Sequence, residues 1–485
     1  MKLTDILQGS NATISGNCDI EIGDIAFDSR KVRKGSLFIA QRGVHTDGHQ
    51  YIGIAVNNGA SAIVCEQMPK EQANGVCYIQ VEDSSKTLGL VADNFYQHPS
   101  RQLHLVGITG TNGKTTTVTL LHRMFRMAGF HAGLLSTIVN KIDEEEYPTQ
   151  HTTPDALETN QMLRKMVDAG CQYCFMEVSS HAVVQGRIAG LSFAGAIFSN
   201  LTHDHLDYHK TMAGYIAAKK GFFDNLSKEA FALVNIDDRN GMVMVQNCAA
   251  TVKTYSLQRM ADFHCKIIED TFQGLCLQIN GKEVWTRLVG RFNAYNLTAI
   301  YATAILCGLA EDETLRMLSQ LEAAEGRFEY VSGRGITAIV DYAHTPDALQ
   351  NVLQTINSIR QKRQRLITVV GCGGDRDKTK RPEMAQIAAQ QSDKLILTSD
   401  NPRTEDPEQI LNDMEAGLNA DAKWSTLRIT DRRQAIRTAC MIAEEGDIIL
   451  VAGKGHEKYQ EINGKRSHFD DKEELRTLLN EEETK

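Results

Sequence analysis

Residues 103–117 read L-H-L-V-G-I-T-G-T-N-G-K-T-T-T. An apolar run leads into a glycine turn closed by a lysine, and the periodic stretch 118–127 leads out of it. A turn of Gly110, Thr111, Asn112 and Gly113 between strand and helix points backbone N–H groups and a positive helix end at phosphate. Lys114 adds a point charge and Thr115 a hydroxyl suited to Mg²⁺, with Thr116 behind it. The general form is G-x-x-x-x-G-K-[ST], and Gly107 stands one residue too far from Gly113 to satisfy it. The chemistry implied is the binding of a nucleoside triphosphate.

Other polar clusters carry the rest. Glu177, ahead of Ser179, Ser180 and His181, is placed like a carboxylate that holds Mg²⁺ through hard oxygen. Residues 203–209 read H-D-H-L-D-Y-H, which invites zinc. Catalytic zinc histidines, however, come at helical spacing with a distant third ligand, and here acids interleave, so one histidine assisting a second Mg²⁺ or the substrate fits better. Lys219 lies in an amphipathic helical stretch and, taken alone, reads as a surface lysine. Residues 371–378, G-C-G-G-D-R-D-K, join glycines to Arg376, whose guanidinium can clamp a carboxylate or phosphate bidentately. Asp400, Asn401, Pro402 and Arg403 set one anion and one cation at fixed separation, which suits a zwitterionic ligand. An Asp-capped turn accounts for Asp400 and Asn401 but not for Arg403.

These clusters need elements to hold them. Strand-like runs occur at 104–109, 172–177, 194–199, 231–235, 336–340, 366–370, 394–398 and 447–451. Helical patterns lie between several of them. Thr153-Pro154-Asp155 and Thr345-Pro346-Asp347 each place a capping residue before proline in the first turn. Strand–helix alternation predicts an α/β fold with mostly parallel sheets covered on both faces. Nearly every polar cluster follows the carboxyl end of one of these strands, the edge at which open α/β sheets bind ligands. Turn signals at 97–101 and 332–335 divide the chain into residues 1–98, 99–332 and 333–485, which agrees with about three domains for this length.

The bulk properties exclude several classes. The 485 residues carry a net charge of -9, which disfavours nucleic acid as a partner. The N-terminus lacks the apolar core of a signal peptide, and no run of about 18 apolar residues spans a bilayer. The 11 cysteines are scattered, and Cys171-Gln172-Tyr173-Cys174 stands without a second pair, so buried thiols in a reducing cytoplasm are expected.

The motifs together resemble the Mur ligase family, which builds the peptide stem of bacterial peptidoglycan. G-T-N-G-K-T-T at 110–116, E-V-S-S-H at 177–181 and N-L-T-H-D-H-L-D-Y-H at 200–209 carry the likeness, with D-Y-A-H-T-P-D at 341–347, G-C-G-G-D-R-D at 371–377 and G-K-G-H-E at 453–457. It extends from Asp28-Ser29-Arg30 to the last strand, over almost the whole chain. Within the family, D-N-P-R at 400–403 looks like the marker of the member that adds meso-diaminopimelate. The resemblance implies a UDP-binding N-terminal domain, a central ATPase domain and a Rossmann-like C-terminal domain for the amino acid. By position, Phe27, Ser29, Val44, His45 and Thr46 would hold the UDP-sugar. His151, Thr152, Thr153, Ser179, Gln185 and Arg187 would hold the muramoyl dipeptide; relatives often carry Asn at 151. Asn293 and His344 match positions near adenine and ribose. Lys219 falls on the lysine that the family carbamylates to N6-carboxylysine, an Mg²⁺ ligand beside Thr115, Glu177 and His205, with two Mg²⁺ expected. Arg376, Asp400, Asn401, Pro402, Arg403, Gly453 and Glu457 would bind diaminopimelate.

The implied reaction activates the D-Glu γ-carboxylate of UDP-MurNAc-L-Ala-D-Glu with ATP as an acyl phosphate, which the diaminopimelate amine then attacks. A cytoplasmic monomer is expected. Rival readings are a lysine-adding version of the same ligase, a folylpolyglutamate-synthetase-like ligase, and a nucleotide-gated binding protein without catalysis.

Overall fold

The computed structural model describes the whole chain except residues 44, 45, 150, 203, 205 and 481–485. Expectations placed on Val44, His45, His203 and His205 therefore lie outside the described residues. The chain divides into two compact units. One comprises Met1–Gly110, Leu121–Ser199 and Ala213–Thr254, the other Thr111–Leu120, Asn200–Met212 and Tyr255–Lys485.

The first unit contains two sheets. In the N-terminal sheet, Asp24–Ala26, Ser36–Ile39, Ala60–Cys65 and Cys77–Gln80 run parallel, and Thr13–Ser15 joins antiparallel at the edge. Its strands are covered on both faces. Leu37 and Ile39 pack with Leu3, Leu88 and Val91, while Phe38 and Ile63 pack with Ala55 on the other side. The second sheet orders Phe231–Asn235, Gly195–Phe198, His104–Thr109, Tyr173–Glu177 and Ala132–Leu135 in parallel, extended by the antiparallel pair Asn140–Ile142 and Glu145–Tyr147.

Gly107 belongs to this packing rather than to phosphate binding. A Cβ there would stand 2.6 Å from Phe222 Cζ and 2.9 Å from Phe193 Cε1, so the central strand admits no side chain at that point. Gly107 is a strand residue, and the position that the general phosphate-loop pattern gives to its first glycine is held by Ile108.

The second unit is built on a six-stranded sheet in the order Glu329–Gly333, Ile336–Asp341, Ile448–Ala452, Leu366–Cys372, Lys394–Ser399, Leu427–Arg428. All neighbours are parallel except the first pair. Successive residues of a strand point to opposite cores. Ile339, Val370 and Leu395 meet the helices Pro346–Ile359, Lys380–Gln391 and Pro407–Glu415; Val340, Val369 and Ile396 meet Arg432–Ile442 and Asp471–Asn480. An antiparallel meander, Phe263–Thr271, Gly274–Ile279 and Lys282–Thr286, packs with the helix Arg291–Leu306.

Of the two helix starts read from sequence, Thr345 caps as expected, its hydroxyl accepting from Ala348 N. The other is corrected: Ala156–Asp168 is capped by Asp155, which accepts from Glu158 N. Thr153 is not the cap because its hydroxyl is engaged elsewhere, as described below. All 11 cysteines are free thiols, with Cys171 and Cys174 buried. No helix among the described residues is long and apolar enough to cross a membrane.

Candidate active site

The glycine turn is held open by asparagines. Thr111 N and Asn112 N donate to the backbone O and Oδ1 of Asn200 at 2.8 and 3.0 Å, and Asn200 Nδ2 donates back to Asn112 O at 3.1 Å. Thr202 N donates to Thr111 Oγ1 at 3.0 Å. Gly113 has φ +87°, and a Cβ there would strike Asn296 Oδ1. Asn296 Nδ2 in turn donates to Asn293 Oδ1 at 3.1 Å, which brings the expected adenine-side Asn293 onto the same turn.

Helix Lys114–Met127 begins at the lysine, whose Nζ folds onto Thr111 O at 2.9 Å. Thr115 is buried, and its hydroxyl receives Arg327 Nη2 at 3.3 Å. Arg327 lies 4.5 Å over the Tyr342 ring, which His344 flanks at 4.6 Å. Asn112 Nδ2 donates to Asp347 Oδ2 at 2.6 Å. Sequence reasoning quoted Asn200 and Asp347 within motifs but gave them no role, and missed Asn296 and Arg327. Strand-end position was the available signal for Asn200.

In the first unit, the residues expected around the dipeptide, His151 excepted, form one hydrogen-bonded network. Glu177 is 1% exposed; its Oε1 accepts from Thr137 N at 2.8 Å and its carbonyl from Thr153 Oγ1 at 2.8 Å. Thr153 Oγ1 also accepts from Ser179 N at 3.1 Å, and Thr137 and Thr152 share a hydroxyl contact at 3.1 Å. Arg187 Nη1 donates to Thr153 O at 2.7 Å, while its Nε and Nη2 grip Gln185 Oε1 at 3.0 and 2.6 Å. Thr137, just beyond the strand Ala132–Leu135, is an addition to the expected set. His151 is exposed, and its carbonyl accepts from Thr149 Oγ1 at 2.8 Å. Toward the N-terminus, Phe27 packs half-buried on the sheet core. Ser29 opens a turn capped by Asp28, and Thr46 O accepts from Gly43 N at 2.8 Å.

Lys219 overturns its reading as a surface residue. Helix Met212–Asp224 lays it against the sheet edge, 1% exposed, with Nζ 2.8 Å from Gly110 O and 4.8 Å over the Tyr215 ring. A buried ammonium is expensive, and lysine so placed is a common carrier of chemistry. Among the described residues, no three His, Cys, Asp or Glu side chains are grouped to hold a metal. The donors in the first unit are instead the Glu177 carboxylate and a buried lysine that a carbamate would convert to an oxygen donor. Such hard oxygens fit Mg²⁺.

Three loops at the carboxyl edge of the six-stranded sheet bring the expected amino-acid residues together. Asp400 is buried, and a Cβ on Gly453 (φ +115°) would come within 2.6 Å of its Oδ2, so glycine alone permits that approach. Asn401 Nδ2 donates to Glu457 Oε2 at 2.6 Å, and the fully buried Lys454 reaches Asn401 Oδ1 at 3.1 Å and Glu457 Oε2 at 3.3 Å. Burial first, then the neighbouring Asp400 carboxylate, push Glu457 above the usual carboxylate range. Arg403 takes a left-handed backbone (φ +54°), and its Nη1 donates to Gly374 O at 2.7 Å. Arg376 is exposed at the mouth of its loop.

A hairpin that sequence reasoning missed, Tyr459–Ile462 with Lys465–His468, docks on this turn. Arg403 N donates to Glu461 O at 3.0 Å and Asn463 N to Arg403 O at 2.6 Å. Asn463-Gly464, both with positive φ, was its legible signal.

Three family models match consecutive stretches of the chain. "Mur ligase family, catalytic domain" matches residues 21–96, "Mur ligase middle domain" 108–304, and "Mur ligase, glutamate ligase domain" 326–455. A protein of Cytophaga hutchinsonii named UDP-N-acetylmuramoyl-L-alanyl-D-glutamate–2,6-diaminopimelate ligase is 55% identical over 482 residues, covering 99% of each chain. A solved structure of an enzyme of that name is 32% identical with a TM-score of 0.72 and covers 100% of both chains. Folylpolyglutamate synthase of Mycobacterium tuberculosis, solved with ADP, shares the fold at 17% identity and a TM-score of 0.63, over 76% of this chain.

Proposed function

The chain belongs to the Mur ligase family, and from that premise we propose that it joins meso-diaminopimelate to the D-Glu γ-carboxylate of UDP-MurNAc-L-Ala-D-Glu at the expense of ATP. The observation that carries the choice of amino acid is the D-N-P-R turn. Arg403 shares its turn with the buried Asp400 and with Asn401, which bonds the half-buried Glu457, giving a cation and an acidic pair for the carboxylates and ammonium groups of a diamino diacid. Lysine lacks the distal carboxylate and would leave the guanidinium unpaired.

A free carboxylate is a poor electrophile, so the γ-carboxylate oxygen first attacks the γ-phosphorus of ATP, and ADP departs. Lys114 and the amides of the glycine turn take the charge on the phosphates. The uncharged amine of diaminopimelate then attacks the acyl carbon, its proton is lost, and phosphate leaves with the former carboxylate oxygen. Thr152, Thr153, Ser179, Gln185 and Arg187 would hold the dipeptide for that attack. Thr115, Glu177, His205 and carbamylated Lys219 would hold Mg²⁺, which supplies charge neutralisation on the phosphates.

Residues 1–98, 99–332 and 333–485 correspond in this reading to UDP-sugar, ATP and amino-acid domains of a cytoplasmic monomer. The N-terminal family match at 21–96 favours this reading over a folate ligase. ADP release measured with UDP-MurNAc-L-Ala-D-Glu and a panel of amino acids tests it. Release should require the dipeptide and meso-diaminopimelate together, and comparable kcat/KM for L-lysine would sink the assignment.

A further inference from the structure

The largest fully buried side chains include two arginines, Arg381 and Arg432. A guanidinium at zero exposure needs acceptors for its N–H groups, and apart from Arg381 Nε, which has none, these N–H groups find them on loops of the amino-acid site and on the helix residues Asp413 and Asp471. Arg381 Nη1 bonds Glu405 Oε2 at 3.0 Å and Asp413 Oδ2 at 2.8 Å; its Nη2 bonds Glu405 Oε1 at 2.8 Å and Gly373 O at 3.2 Å. Gly373 adjoins the carbonyl that Arg403 grips, and Glu405 lies two residues beyond Arg403. Arg381 thus ties the first loop to the second. The same Glu405 accepts from Asp375 N at 2.6 Å and pairs with Lys378 at 3.1 Å.

Arg432 ties the second loop to the third. Its Nε and Nη2 pair with the two oxygens of Asp471 at 2.8 and 2.7 Å, and that carboxylate is also fully buried. Its Nη1 reaches Ser399 O at 3.3 Å and its Nη2 Ala452 O at 3.0 Å. Those carbonyls immediately precede Asp400 and Gly453, the two residues pressed together in the site. Planar forks of this kind fix distance and direction as a lysine point charge does not.

We propose that Arg381 and Arg432 are positioning residues, a buried frame that sets the spacing of Arg403 from the Asp400–Glu457 pair. The choice of amino acid then depends on two side chains too deeply buried to touch it. This rests on the diaminopimelate reading of the same site.

A double-mutant cycle in the full-length enzyme tests it, with Arg381→Lys and Arg403→Ala made singly and together. Arg381→Lys should lower kcat/KM for meso-diaminopimelate by roughly tenfold through KM, with KM for ATP unchanged. Once Arg403 is already Ala, the same change should have less than about a twofold effect. An equal loss in both backgrounds, or a parallel rise in KM for ATP, would mean that Arg381 merely supports the domain, and the proposal falls. If Arg381→Lys does not fold, Glu405→Gln, which keeps shape and loses the charge of the clamp, takes its place in the cycle. Arg432→Lys should raise KM for meso-diaminopimelate in the same way, and an unchanged KM refutes its share. Wild-type enzyme that fails to turn over meso-diaminopimelate removes the functional reading and this one together; wild-type turnover with an additive cycle removes only the frame.

Discussion

An ammonium group with 1% of its residue exposed, held against a backbone carbonyl, is the residue whose position most needs a reason. Its neighbour Lys220 has the ordinary fate, a pair with Asp224 on the same helix. Nothing in the periodicity of residues 212–224 tells the two lysines apart, so the burial of Lys219 was not legible from composition. It was legible only from the motif position. If Lys219 works as a carbamate, Lys219→Ala should lose ADP release by roughly two to three orders of magnitude, and millimolar formate or acetate should restore part of it. Wild-type rates in the alanine variant would rule the carbamate out. The Glu405 carboxylate is a contrasting case: hydrogen bonds from Arg381 hold it down at about 2, so it serves as a fixed anion at any working pH. Its partner could not be read from sequence, because Arg381 and Glu405 meet only after two loops fold.

At the scale of elements, apolar runs translated well. Residues 104–109 and 231–235 are strands with those ends, and 366–370 grows to Cys372. The N-terminal strands were not recognised because most span three or four residues, too short for a period to show. The capping error at Thr153 has a comparable origin, since a hydroxyl drawn into a tertiary network cannot be recognised locally. The helix Lys114–Met127 carries a pH-dependent weakness. His122 on it is 3% exposed and hydrogen-bonded to Ala132 O at 3.2 Å, and burial pushes its pKa down from 6.5 to about 4. Between those values the unfolded chain binds a proton that the folded chain does not. Stability is therefore fully present above about 6.5 and lost as pH falls toward 4, by about 3 kcal/mol for this group. Urea unfolding of wild type and His122→Gln at pH 4.5 and 7 should show a shallower pH dependence in the variant. Identical slopes would mean that His122 does not carry the effect.

Taken whole, the chain does not cluster along its sequence order. The glycine turn at Thr111–Leu120 groups with residues beyond Tyr255, although the strand that feeds it groups with the N-terminal part. Asn112 and Asp347 meet across 235 positions, and Thr202 joins them at 3.3 Å. Such closures are invisible to turn signals, which report where the chain bends and not what it returns to. Asp347→Ala should weaken binding of a non-hydrolysable ATP analogue by about tenfold or more, as titration calorimetry would read, because a charged acceptor is removed from the loop. An unchanged Kd would show that the loop holds its shape without it. The hairpin docked on Arg403 has a consequence of another sort. The D-N-P-R tetrapeptide does not make its own conformation: its last residue is left-handed and bonded on both sides to residues 461–463. Grafted alone onto a relative, those four letters would arrive without their mould. Inheritance of this preference is therefore a matter of dispersed segments travelling together, and a lineage could not switch amino acids by exchanging one short word.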